Sequence, residues 1–328
     1  NRKNGSNKQI STKMKYMNTY NIATVVVTYN RKAMLCDCLQ AIACQTFKPK
    51  AVYIIDNASS DKTREHLVVN GYVSEDSNIV YINDIKFIYV QLAENTGGAG
   101  GFYTGMKIAN EEGEYDAVWV MDDDGQPHAD CLHYLASHLD KYDYISPTVL
   151  SIENRKSLSF PYNGHMLEFD DFAVNSINNI VEGYACPMNG ILYSKRLLST
   201  VGYPIPNLFI WGDEQNMHLR CINAGFPPIT DLRAIHYHPI SKDVYETSLG
   251  GRKIVFVPQL WKGYCQYRNT IYNYHNTMSF RQLLNYYIIH MYYFVCKIHS
   301  LKWIWCFNKA FISGFKKEPD CGYKTYMK

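Results

Sequence analysis

The stretch Ala117-Val118-Trp119-Val120-Met121 is apolar throughout and then meets three consecutive carboxylates, Asp122, Asp123 and Asp124. A run this apolar suits a strand buried on both faces. Three adjacent acids are tolerated only at an exposed rim or on a cation. Side chains alternate along an extended segment, so Asp122 and Asp124 are expected on one side and Asp123 on the other, which lets two carboxylates converge on one divalent ion. A solvated acidic turn closed by Gly125 and Pro127 is the competing reading.

The segments around this stretch repeat one pattern. Ile22 to Thr28 is a β-branched strand, followed by Tyr29-Asn30-Arg31 and a helix over Lys32 to Cys44. Val52 to Ile55 is a second strand, closed by Asp56-Asn57-Ala58-Ser59-Ser60-Asp61. A helix over Lys62 to Val69 follows, with Ser60 or Asp61 as N-cap. Phe87 to Leu92 is a third strand, and the loop Glu94 to Gly101 leads into a helix from about Phe102 to Asn110. The aspartate stretch is the fourth strand.

Strands alternating with helices predict an α/β fold with a mostly parallel central sheet, whose ligands bind beyond the carboxyl ends of the strands. The polar clusters at 29–31, 56–57, 95–101 and 122–124 all fall at such ends. They are predicted to line one crevice. The glycine loop lacks dinucleotide spacing; it reads either as a plain turn or as a backbone surface for a diphosphate near a helix N-terminus. Asp56 reads as a turn or capping aspartate, or as the acceptor of a base N–H.

Further along, the pattern predicts a helix over Ala129 to Leu139, a strand over Tyr144 to Leu150, a turn at Asn189-Gly190 and a short strand over Ile191 to Tyr193. Residues 151–180 show no period and read as insertions or a small antiparallel excursion. Leu208-Phe209-Ile210-Trp211-Gly212-Asp213-Glu214 precedes a helix that closes at Gly225. Asp213 and Glu214 suit either chemistry or the favourable first turn of that helix. Ile235-His236-Tyr237-His238-Pro239 ends an apolar segment, with one of its two histidines able to turn into the crevice.

Composition excludes several classes. With 47% hydrophobic and 19% charged residues over 328 positions, the chain has enough apolar material for one large or two modest domains. A net charge of +3 is too small to argue for nucleic acid. The ten cysteines form no CxxC pair and read as free thiols of a reducing compartment. The first twenty residues read as a flexible polar leader, with the natural start at Met14 or Met17, and the expected location is the cytoplasm. Leu283 to Phe307 is rich in aromatic residues but broken by His290, Lys297, His299 and Lys302. It reads as helices packed on the core or as a basic aromatic face at a membrane surface.

Taken in order, several motifs resemble the inverting glycosyltransferases of family 2 with the GT-A fold, and more narrowly the galactofuranosyltransferase and rhamnosyltransferase branch. They are Val27-Thr28-Tyr29-Asn30-Arg31, Asp56 to Asp61, Asn95-Thr96-Gly97-Gly98-Ala99-Gly100-Gly101-Phe102, Trp119 to Asp124, Trp211-Gly212-Asp213-Glu214 and His238. The match covers about residues 22–275. It implies a GT-A domain over 21–245 and a C-terminal helical, aromatic-rich region over 246–328.

The resemblance implies that Thr28, Asn30, Arg31, Asp56, Asn57, Asn95, Gly97, Gly98, Asp122, Asp123 and Trp211 serve the nucleotide-sugar donor, with Asp56 receiving a uracil or thymine N3–H. It makes Asp122, Asp124 and His238 ligands of Mn²⁺ or Mg²⁺, with His236 the other histidine candidate. It makes Asp213 the general base and Glu214 the second candidate. The implied reaction is inverting transfer of galactofuranose from its UDP donor to a saccharide acceptor in surface polysaccharide assembly, with a lipid-linked acceptor and the cytoplasmic face of the inner membrane as a further expectation. A rhamnosyltransferase using dTDP-rhamnose is the nearest rival, and a catalytically silent saccharide-binding module the distant one. A nucleotidyltransferase is disfavoured, because only Arg31 and Lys32 stand where a basic activating loop is needed.

Overall fold

The computed structural model describes residues 20–165, 167–240 and 245–327. Most of the expected leader lies outside them. The chain forms two compact units, one of residues 20–96, 101–203 and 220–240, the other of 97–100, 204–219 and 245–327.

The first unit is built on β1 (Ile22–Thr28), whose β-branched residues are all buried. After it come α1 (Lys32–Ala43), β2 (Ala51–Asp56), α2 (Thr63–Val69), β3 (Ile79–Ile82), β4 (Ile85–Gln91), α3 (Gly97–Glu112), β5 (Ala117–Asp122) and β6 (Gln126–Pro127). The chain continues through α4 (Cys131–Ala136), β7 (Tyr144–Ser151), α5 (Phe169–Ala173), β8 (Ile180–Glu182), β9 (Asn189–Ser194), α6 (Lys195–Val201), α7 (Asp213–Asn223), which belongs to the second unit up to residue 219, and β10 (Ile229–His238). Among the described residues one ten-stranded sheet runs β3-β4-β2-β1-β5-β9-β7-β10-β6, with β8 on β10.

Its centre, β4-β2-β1-β5, is parallel, as the alternation of strands and helices predicts. Register aligns the carboxyl ends: Thr28 pairs with Asp56, Val27 with Asp122 and Asp56 with Gln91. β9 joins β5 antiparallel, and β7 and β10 form a second parallel pair. After the aspartates the chain turns back as β6, which pairs His236 with Pro127 and Tyr237 with Gln126 on β10. That pairing brings the end of β10 to the end of β5.

Several local expectations are corrected. The third strand is the second arm of a β3–β4 hairpin, whose first arm, Ile79-Val80-Tyr81-Ile82, is an apolar run at the sheet edge that stays partly exposed. The glycine stretch is not a loop before a helix at Phe102; it is the first turn of α3. The first residue of α2 is Thr63, and the cap position is held by Lys62 at φ 64°, with no side-chain cap. The side chains of Ser60 and Asp61 are engaged elsewhere: Ser60 Oγ donates to Asn30 Oδ1 at 3.4 Å, and the Asp61 carboxylate accepts from Thr63 Oγ1 at 2.5 Å and from Lys32 N at 3.3 Å. Asn189-Gly190 is not a turn but the start of β9, where Gly190 O accepts from Trp119 Nε1 at 2.8 Å. The helix expected over 129–139 is α4, shortened to six residues.

The second unit contains β11 (Tyr245–Thr247) and β12 (Lys253–Val255) as a hairpin, then α8 (Leu260–Tyr274), α9 (Phe280–Cys296) and α10 (Leu301–Ser313). Its core is aromatic: Phe294 stacks on Trp303 with centroids 5.4 Å apart, and Phe209 stacks on Tyr323 at 4.3 Å. All ten cysteines are free, as expected.

In the first unit α3 approaches the sheet through Gly101 and Gly105, one turn apart. A Cβ at Gly105 would press on Val25 and stand 2.8 Å from Ile55 Cγ1. We therefore expect Gly105→Ala to lower stability by about 1–3 kcal/mol despite the better helix propensity of alanine, as read by chemical denaturation.

Candidate active site

The acidic end of β5 is held from β1 and β10. Asp123 is buried and accepts from Thr28 Oγ1 at 2.7 Å and from Arg31 Nη1 at 3.2 Å. Asp124 meets the same guanidinium nitrogen: its Oδ2 accepts from Arg31 Nη1 at 2.7 Å, and its Oδ1 lies 3.2 Å from His238 Nε2. The two neighbouring carboxylates thus share one guanidinium nitrogen, and Asp124 alone of the two also reaches His238.

Electrostatics make this a strained cluster. Burial, then Asp124 and Asp123, push the Asp122 carboxyl up to about 8. Burial also pushes Asp123 up to about 6, against the opposing effects of Thr28 and Arg31. Burial resists ionisation of Asp124 and protonation of His238 alike, but each overcomes it in the other, so Asp124 is lowered and His238 raised. Among the described residues Arg31 is the permanent positive charge bonded to this cluster, and its side chain is 51% exposed.

His238 is oriented from behind, with Nδ1 2.6 Å from Pro239 O. Nδ1 must be the donor there, which in a neutral imidazole leaves a lone pair on Nε2 facing a carboxylate. Asp124 Oδ1 has no hydrogen bond of good geometry although His238 Nε2 stands 3.2 Å away. A histidine whose far nitrogen donates to a carbonyl while the near one faces a carboxylate has the orientation of a metal ligand, and an orphaned buried oxygen is what a cation satisfies.

A carboxylate and an oriented imidazole are donor types that a divalent ion accepts. Among the described residues no group of three or more His, Cys, Asp and Glu stands at metal-holding distance. Asp124 and His238 are the pair the fold brings together. His236 is placed differently: it is fully buried, pressed by Gly125 and with Nδ1 2.8 Å from where a Cβ on Gly190 would lie. Burial drives its pKa down to about 3, which holds it neutral.

The loops after β1 and β2 are tied to each other. Asn30 Oδ1 accepts from Ser60 N at 2.7 Å and Asp61 N at 3.2 Å, and its own N–H donates to Ser59 Oγ. Asp56 is 1% exposed and accepts from Ser59 N at 2.8 Å and from Tyr89 Oη at 2.5 Å. Asn57 Oδ1 accepts from Thr96 N and Thr96 Oγ1, which fixes the chain just after Asn95. Asn30 and Asn57 thus shape these loops from within, while Tyr89, which sequence reasoning missed, orients Asp56.

In the second unit, Phe209, Trp211 and Gly212 all have positive φ, at 68°, 56° and 92°. For two aromatic residues this backbone is costly and needs support. Helix α8 supplies it. Asn269 Nδ2 lies 3.0 Å from Leu208 O, 3.0 Å from Ile210 O and 2.6 Å from Trp211 O. Arg268 adds a bond to Leu208 O, and Asn273 one to Gly212 O. Arg268, Asn269 and Asn273 were not among the sequence candidates. The available signal was polar residues one turn apart on the apolar face of an aromatic helix.

This turn presents Asp213, which is 5% exposed, at the start of α7. Glu214 folds back, with Oε2 accepting from Gly212 N at 3.1 Å, the bond of a helix-start acid. Gly97 fits under Phe209, with Ala99 N donating to Phe209 O at 3.1 Å. A Cβ on Gly98 would stand 4.0 Å from Asp213 Oδ2. Lys262 Nζ lies 5.6 Å from the centre of the Trp211 ring. Gly97, Gly98, Trp211 and Asp213 thus meet in this unit, whereas Thr28, Arg31, Asp123, Asp124 and His238 meet in the first.

Comparison with known proteins yields one consistent set of relatives. Residues 24–194 match the model of the family described as "Glycosyl transferase family 2". The chain is 31% identical over 261 residues to galactofuranosyltransferase GlfT1 of Mycolicibacterium smegmatis, covering 76% of this chain and 82% of that protein. It is 32% identical over 263 residues to GlfT1 of Mycobacterium tuberculosis H37Rv, covering 77% and 82%.

Among solved structures, S. aureus TarS is similar over 90% of this chain and 49% of its own length, at 17% identity and a TM-score of 0.56. TarS 1-349 in complex with UDP is similar at a TM-score of 0.53, covering 90% of this chain and 81% of that one. At such identity these likenesses bear on the fold, which is of the same glycosyltransferase type.

The pinned turn yields a test. Asn269→Ala leaves the carbonyls of Ile210 and Trp211 short of a side-chain donor beneath a strained backbone, while Leu208 O keeps Arg268. The expected loss of stability is on the order of 3 kcal/mol in chemical denaturation, and Asn273→Ala, which gives up one such bond to the turn, should lose less.

Proposed function

The chain belongs to glycosyl transferase family 2 and is a glycosyltransferase, and from that premise we propose that it transfers galactofuranose from UDP-galactofuranose to a saccharide acceptor, with a divalent metal ion and inversion at the anomeric carbon. The observation that carries the metal and the chemistry is the pair Asp124–His238: a buried carboxylate oxygen without a good donor, opposite an imidazole oriented from behind. The choice of sugar is supported by the similarity to the galactofuranosyltransferases of both mycobacterial species, which favours it over rhamnose.

In this reading Asp124 and His238, with Asp122 beside them, hold Mn²⁺ or Mg²⁺. When bound, the ion supplies positive charge to offset the negative charge that builds on the leaving diphosphate. Asp122 ionises readily only with such a charge nearby, because burial and two neighbouring aspartates oppose it. Arg31 adds a permanent charge, and Asp123, fixed by Thr28, keeps Arg31 in place. Asp56 accepts the pyrimidine N3–H, oriented by Tyr89 and Ser59. Asn95, Gly97, Gly98 and Trp211 serve the donor, as the family resemblance implies.

Asp213 takes the proton of the acceptor hydroxyl as its oxygen attacks the anomeric carbon. The bond from that carbon to the diphosphate oxygen breaks, and UDP leaves with the electron pair. Glu214 is the less suited base, because its carboxylate is engaged by Gly212 N–H. The acceptor belongs to surface polysaccharide assembly in this reading, and a lipid-linked acceptor would bring the enzyme to the cytoplasmic face of the membrane. Among the described residues no helix is long and apolar enough to cross a membrane.

Two experiments test these roles. Asp124→Asn and His238→Ala should each abolish the Mn²⁺-dependent part of UDP binding in calorimetry, with folding intact by circular dichroism; unchanged metal-dependent binding in both removes the metal assignment. Asp213→Asn should keep UDP affinity within a few-fold and lower kcat by about 10² or more. Near-normal turnover would transfer the role to Glu214.

A further inference from the structure

The C-terminal helices hold a surface that the proposed chemistry does not use. From Ser279 to Lys317 the sequence contains no Asp or Glu and six cations, at 281, 297, 302, 309, 316 and 317. On α9, Phe280, Leu284, Ile288 and Val295 are exposed, and their spacing keeps them on one face, opposite the buried His290, Tyr293 and Phe294. On α10, Leu301, Trp305 and Ile312 are between 62% and 83% exposed and form a second row, opposite the buried Trp303, Cys306, Phe307 and Ala310, with Phe315 just beyond the helix. Lys302 and Lys309 flank that row, and Lys309 Nζ lies 5.1 Å from the Trp305 ring centre.

Single exposed apolar residues are ordinary, but two ordered rows are not. The charge around them selects what covers them. A second copy of this chain, docked face to face, would set cation against cation with no acid in the segment to pair. An anionic lipid surface complements both features: headgroups take the lysines, the acyl boundary takes the apolar rows, and Trp305 lies at the level where aromatic rings are favoured. We propose that α9 and α10 dock the protein in the plane of an anionic bilayer. The proposal stands on the residues of these helices and does not depend on the donor, the metal or the base.

The test is flotation of the full chain with phosphatidylcholine vesicles, with and without phosphatidylglycerol, in low and high salt. Binding is expected to the anionic vesicles, weakened by salt. Lys302→Gln with Lys309→Gln should lower partitioning by about fivefold per lysine, and Trp305→Glu with Ile312→Glu should abolish it, while UDP affinity and the unfolding midpoint stay unchanged. Equal binding to both vesicle types, or full binding by the Trp305 and Ile312 variant, overturns the proposal. So does an absence of flotation in which the same variant converts a dimer to a monomer on sedimentation, since the face would then belong to a second copy.

Discussion

The first unit is organised around an unfavourable concentration of negative charge, the three carboxylates at the end of a fully buried strand. Burial and mutual repulsion drive Asp122 and Asp123 toward protonation, and the surrounding structure divides the load. Asp123 is satisfied by Thr28 and Arg31, Asp124 by Arg31 and His238, and Asp122 forms no ion pair among the described residues. The sheet register makes this possible. β1 runs alongside β5 to deliver Thr28 and Arg31, and the short return strand β6 pairs with β10 so that His238 reaches Asp124. A cluster that fails to neutralise itself is the electrostatic signature of a functional site more than of a structural one.

A second constraint governs the other unit. The turn from Phe209 to Asp213 adopts a backbone that aromatic residues resist, and it persists because α8 donates side-chain hydrogen bonds to four successive or near-successive carbonyls, those of Leu208, Ile210, Trp211 and Gly212. Rigid support of this kind keeps Asp213 in a fixed direction, which a proton acceptor needs. The C-terminal helices therefore contribute more than bulk: one of them braces the turn that bears the proposed base.

Much of this was legible in the sequence because its signals were local. The β-branched run at 22–28, the apolar run into the aspartates and the alternation with helices predict the parallel centre; of the set Asp122, Asp124 and His238 that the family resemblance implies, the fold brings Asp124 and His238 together. Other features depend on partners distant in sequence. Asn189-Gly190 carries turn chemistry, yet the indole of Trp119 and pairing with β5 hold it in a strand. Ser60 and Asp61 look like helix caps, yet Asn30 takes the Ser60 hydroxyl, and Thr63 Oγ1 and Lys32 N–H take the Asp61 carboxylate. Gly97 to Gly101 looks like a flexible loop, yet the close approach of Phe209 to Gly97 selects a glycine-rich first turn of helix. Asn269 offered no motif at all; its role exists only because the Leu208–Gly212 backbone lies beneath α8.

The most direct measurement of the central claim is a donor panel: purified protein with UDP-galactofuranose, other UDP-sugars and dTDP-rhamnose, with Mn²⁺ and with chelator, following nucleotide release and the shift in unfolding temperature. The account predicts selective stabilisation and slow release of UDP with UDP-galactofuranose, lost on chelation. Equal response with and without chelator, or selectivity for dTDP-rhamnose, would contradict it.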